Sequence, residues 1–94
     1  MIKHVVCFKL KEGESAERAR EVLLSMEGNV PTVRAIEVGV DCLHSPRSYD
    51  VMLTVLVDDM EALALYQGDA YHCDVVKKHM HAVTTHSIAV DYEV

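Results

Sequence analysis

Both ends of this 94-residue chain alternate with a period of two. Ile2, His4, Val6, Phe8 and Leu10 fall on one side of the first segment, and Lys3, Val5, Cys7, Lys9 and Lys11 on the other. In the last segment His86, Ile88, Val90, Tyr92 and Val94 alternate with Ser87, Ala89, Asp91 and Glu93. Successive side chains of a strand project to opposite faces of a sheet, so this pattern predicts a strand at each terminus. A strand at each terminus excludes an all-helical fold for this chain.

The middle supplies two further strands and two helical regions. Gly13 breaks the first strand and Ser15 is placed to cap a helix, with Ala16, Ala19, Val22, Leu23 and Met26 at helical spacing up to Gly28. Beyond Pro31, Val33 to Cys42 reads as a second strand through the alternation of Ile36, Val38 and Val40. Leu43 to Ser48 is loop chemistry around Pro46, and Tyr49 to Val57 is a third strand. Asp58 with Glu61 three residues later suggests a capping box for a helix through Leu63, Ala64 and Gln67. Gly68 interrupts it, and a second helical piece follows with His72, Val75, Val76, His79, Met80 and Val83 as its apolar stripe. The order β-α-β-β-α-β, with strands two and three as a hairpin, predicts a single α+β domain over residues 1–94. Its expected form is the ferredoxin-like split βαβ arrangement with a four-stranded antiparallel sheet.

Two helices cover one face of such a sheet and leave the other bare. Val5, Cys7, Met52, Thr54, Leu56 and Ala89, assigned to that second face, are too apolar for a wet surface. A second copy packed face to face covers both at once, which predicts a homodimer through the sheet face. The formal charge of −6 opposes phosphate backbones and argues against nucleic acid. The apolar runs are too short to span a bilayer, so no membrane association is expected. Cys7, Cys42 and Cys73 form neither a CxxC pair nor a disulfide framework, and no export signal opens the chain, which fits a reducing cytoplasm.

The candidate chemistry lies in Tyr66-Gln-Gly-Asp-Ala-Tyr-His72, which can aim a phenol and an imidazole at one pocket. A neutral imidazole near its usual pKa of ~6.5 can take a proton from a carbon flanked by carbonyls. A phenol can donate to the oxyanion that develops. The alternative for each is a structural one: His72 and His4 as hydrogen-bonded core imidazoles, Tyr66 as a core aromatic. No metal or other cofactor is expected, because His72 and His79 are too far apart for joint ligation, His81 is read as pointing elsewhere, and no HExxH pattern is present.

Four segments, Met1-Ile-Lys-His-Val-Val-Cys-Phe-Lys-Leu10, Tyr49-Asp-Val-Met-Leu-Thr-Val-Leu56, Leu65-Tyr-Gln-Gly-Asp-Ala-Tyr-His72 and Val90-Asp-Tyr92, resemble the Dabb, or stress-responsive α/β-barrel, family across the whole chain. The resemblance implies a ferredoxin-like subunit pairing into a dimeric α/β barrel. The best-understood family activity, that of olivetolic acid cyclase, is a cofactor-free aldol cyclisation of a linear polyketide thioester. Carried over by position, the resemblance makes His72 the general base, Tyr66 the helix tyrosine and His4 the first-strand pocket histidine. The cyclase's third-strand histidine falls on Val51, its first-helix tyrosine near Leu23, and its His-Pro pair on Asp69-Ala70. The expected function is a homodimeric stress-responsive domain protein with a pocket for a small carbonyl or aromatic ligand and no assigned reaction. The alternatives are a cofactor-independent cyclase or lyase on a polyketide-like or β-keto substrate, with His72 as base, and, by fold analogy alone, a cofactor-independent monooxygenase.

Overall fold

A computed structural model describes residues 1–94. In chain order the elements are β1 (Ile2–Leu10), α1 (Ala16–Leu24), β2 (Ala35–Val40), β3 (Val51–Val57), α2 (Met60–Gly68), a π-helical segment (His72–Lys77), α3 (Lys78–Val83) and β4 (Thr84–Glu93). The strands form one antiparallel sheet in the order β2-β3-β1-β4, so the two terminal strands are neighbours and the ferredoxin-like arrangement holds. Each terminal strand gives the other a hydrogen-bonded edge. No helix is long and apolar enough to cross a membrane.

The alternation of β1 translates directly into packing: Ile2, His4 and Leu10 are buried under the helices. They join Val51, Leu53, Val55 and Val57 of β3, Leu23 of α1, Tyr66 of α2 and Val76 and Met80 of the last helical region. Burying each such aliphatic side chain contributes about 1.5–3 kcal/mol, and that contribution holds the helices on the sheet. α1 is capped as expected, the Ser15 hydroxyl accepting from the Arg18 amide at 3.0 Å. Its regular part ends at Leu24, and turns carry the chain on to Gly28, whose φ of 82° suits a residue without Cβ.

Several boundaries and roles differ from the sequence expectation. α2 is capped by Asp59, which accepts from the Ala62 amide at 2.8 Å, not by Asp58. Asp58 is held instead by both arms of the Arg34 guanidinium at 2.9 and 2.8 Å, a partner 24 residues away that local spacing does not reveal. The helical break falls at Asp69, one residue beyond Gly68. β2 and β3 are each shorter than expected, because residues 41–50 form a longer connection, and β4 starts at Thr84 instead of His86. The π-helical segment widens the turn after His72, so His72, Val76, Met80 and Val83 face inward while Val75 is exposed.

Ala89 also moves. It is the antiparallel partner of Val6 and therefore lies on the helix side of the sheet. The open face carries Ile88, Val90 and Tyr92 from β4, together with Val5, Cys7, Met52, Thr54 and Leu56. Met52, Ile88, Val90 and Tyr92 are 44–59% exposed, an apolar surface that runs from β3 across the sheet to its β4 edge.

Candidate functional site

The cavity between sheet and helices is built from both ends of the chain. It has a volume of about 420 Å³. Leu53 of β3, Leu23 of α1, and Val76 and Met80 supply its apolar wall, all of them buried. His4, Tyr66 and His72 reach it together. The exposed side chains of Gln67, His81 and Ser87 form its rim. His81, expected to point away, joins that rim because the wide π turn changes the direction of the helix face behind it.

His72 is placed by three local contacts. Its backbone amide is held by the Asp69 carboxylate at 3.1 Å, which caps the start of the helical segment. Its Nδ1 lies 3.0 Å from the Tyr66 carbonyl oxygen, and since a carbonyl only accepts, Nδ1 carries the proton. The neutral ring then leaves Nε2 unprotonated, the form that a general base needs. Burial pushes the imidazole pKa down from its ordinary 6.5; the Tyr66 carbonyl and the Asp69 carboxylate oppose this, and the nearby Lys77 charge reinforces it. The Tyr66 ring stacks on His72 with centroids 4.4 Å apart and meets His4 edge-on at 5.5 Å.

Tyr66 is completely buried, yet its hydroxyl has no hydrogen-bond partner. Such a group costs roughly 1–3 kcal/mol against one that is bonded, so it is a donor waiting for an acceptor. Burial, with the Asp91 carboxylate adding to it, raises the phenol's pKa well above 10.0 and keeps the proton on oxygen. Asp91 was not among the sequence candidates. It lies directly across from His4 in the β1–β4 register and receives the His4 Nδ1 proton at 2.5 Å. Its face is set by the register of β4 on β1, so no local signal in the sequence pointed to it. Leu23 lines the cavity, whereas Val51 is packed in the core away from it.

A pH dependence follows from the His72 pKa. The unfolded chain takes up a proton at this imidazole near pH 6.5, while the native protein resists it, so the unfolded state binds more protons over that window. Stability therefore rises with pH through the window and is lost as pH falls below about 6.5, until the native imidazole itself titrates. His72→Gln is expected to flatten that part of the stability curve. Denaturant melts of both proteins between about pH 5 and 7.5 measure it, and parallel curves would refute the burial argument.

An antiparallel sheet backed on one face by helices, with an apolar cavity between the layers and histidines and a phenol on its walls, defines a ferredoxin-like pocket subunit. The stress responsive A/B barrel domain, Dabb, matches residues 2–94, and the chain belongs to that family. An uncharacterised protein of Streptomyces coelicolor is 30% identical over 77 residues, covering 77% of this chain and 79% of that one. A dimeric ferredoxin-like protein of unknown function from Bacteroides fragilis superposes with a TM-score of 0.83 at 22% identity, over 99% of this chain and 95% of its own. The protein At3g17210 of Arabidopsis thaliana gives a TM-score of 0.87 at 18% identity, over 100% and 95%. At these identities the structural likeness establishes the fold.

Proposed function

We propose that this protein is a homodimeric binding protein for a small carbonyl or aromatic ligand, which it takes into the cavity between sheet and helices. The observation that carries the reading is the buried, partnerless Tyr66 hydroxyl on the wall of a cavity of about 420 Å³. A ligand oxygen satisfies that donor, and the stacked Tyr66 and His72 rings offer an aromatic surface beside it. The dimer is supported by the apolar open sheet face and by the dimeric description of the Bacteroides relative. Two such faces closed against each other remove both from water.

A second reading adds proton transfer. The His72 Nε2 lone pair, kept available by the Nδ1 bond to Tyr66, serves as base toward a carbon flanked by carbonyls, and the Tyr66 hydroxyl donates to the enolate oxygen. His4, held by Asp91, orients the ligand or its carbonyl. The test is a thermal-shift and NMR panel of aromatic and β-keto compounds at neutral pH. Binding ligands are expected to raise Tm and to shift the His72 and Tyr66 resonances together. A panel that moves neither would end the ligand-pocket reading. For the second reading, His72→Ala with unchanged turnover of a bound β-keto compound would remove the base role.

A further inference from the structure

In an anionic chain, the cavity is lined by a lysine and by no carboxylate. The protein has 15 aspartates and glutamates against 9 lysines and arginines, yet none of the cavity-lining side chains is a carboxylate. They include Lys77; of the carboxylates nearby, Asp91 is occupied by His4, and Asp69 by the His72 backbone amide, its charge favouring a proton on that ring. Lys77 is also placed unlike its neighbour. Lys78 is exposed, whereas Lys77 is half-buried on the cavity wall.

The π-helical segment explains why. At 3.6 residues per turn, a residue five beyond His72 lies well over a third of a turn round an α-helix and faces away from it. Bonding from i to i+5 widens the turn and brings Lys77 back toward the His72 side, close enough for its charge to act on the imidazole. The ammonium donates to the Gln67 carbonyl at 3.2 Å, where a cation complements the end of α2. That bond uses one of its three protons. Lys9, Arg18 and Arg34 each have a carboxylate within 4 Å, and Lys77 has none. A half-buried lysine without a counter-charge, facing a cavity without carboxylates, is complementary to an anion that comes from outside the chain.

We propose that Lys77 sets the specificity of this pocket by selecting an organic acid: an apolar or aromatic body lies against Tyr66, Leu53 and Val76, and its carboxylate is held by the Lys77 ammonium. This rests on the ligand-pocket reading above and adds the charge of the ligand to it. The carboxylate also neutralises the positive charge that disfavours a proton on His72. An acid in the pocket therefore makes His72 more basic, and an uncharged analogue of the same shape does not.

The matched probes are 2-naphthoate and 2-naphthamide, titrated by calorimetry into the wild type, Lys77→Met and Lys78→Met. The wild type is expected to bind the acid at least about tenfold more tightly than the amide. Lys77→Met is expected to abolish that preference, and Lys78→Met to preserve it. Lys77→Gln serves if the methionine variant does not fold. NMR titration of the wild type is expected to show the His72 pKa moving up with the acid bound and staying in place with the amide. Equal affinity for acid and amide in the wild type overturns the anion proposal and leaves the ligand-pocket reading standing, as does a preference that survives Lys77→Met or vanishes equally in Lys78→Met. If neither probe binds, the pocket reading falls and this proposal with it.

Discussion

Val5→Glu is expected to produce a folded monomer. Val5 is at the centre of the open sheet face, across from Thr54 on β3 and Val90 on β4, so its side chain points away from the helices and the cavity. In a face-to-face dimer the new carboxylate is sealed among apolar side chains with no partner. Burying an unpaired charge costs about 3–5 kcal/mol, which weakens association by roughly 10² to 10³-fold or more. In the separated subunit the same carboxylate faces water, as the Glu37 side chain does on β2, and the core under the helices is untouched. Sedimentation at micromolar concentration is therefore expected to give a dimer for the wild type and a monomer for the variant. Circular dichroism of the two should be the same. A wild type that sediments as a monomer, or a variant that stays dimeric, would show that this face is not the contact.

Tyr66 separates stability from binding in a way that few positions allow. Tyr66→Ala removes a fully buried ring stacked on His72 and in edge contact with His4. Aromatic-to-alanine changes in a core cost about 3–5 kcal/mol, a large part of the 5–15 kcal/mol that typical domains have. The variant is expected to be partly unfolded at room temperature. Tyr66→Phe keeps the ring and removes only a hydroxyl that has no partner, so urea melts should give equal stability or a gain of up to about 1 kcal/mol. The same change deprives a ligand oxygen of its donor, and affinity is expected to fall roughly tenfold. A loss of more than about 2 kcal/mol in Tyr66→Phe would mean that the hydroxyl is already satisfied in the free protein, contrary to the reading on which the ligand pocket depends.

Much of the scaffold was legible in the sequence, for a local reason. Strand faces depend on a period of two and helix faces on 3.6, so β1, β3 and α1 follow from residues within a few positions of one another. The Ser15 cap is equally local. What escaped depended on partners far along the chain. Asp58 and Asp59 are equivalent capping candidates until Arg34 takes one of them. Ala89 and Ile88 cannot be assigned to faces until β4 has chosen its register on β1, and a shift of one residue exchanges them. The π turn is invisible to helical periodicity because it breaks the period, and through it Val75 left the core while Lys77 and His81 reached the cavity.

The sequence by itself determined the elements, their order and the apolar character of both sheet faces, and short-range spacing singled out Tyr66 and His72, with His4 added by the family resemblance. Only the tertiary structure decided that the three share one cavity, that Asp91 holds His4 across 87 positions of sequence, and that the Tyr66 hydroxyl is left without a partner. Those outcomes belong to strand register and to the width of one helical turn, which are fixed by packing between distant segments and not by any local preference.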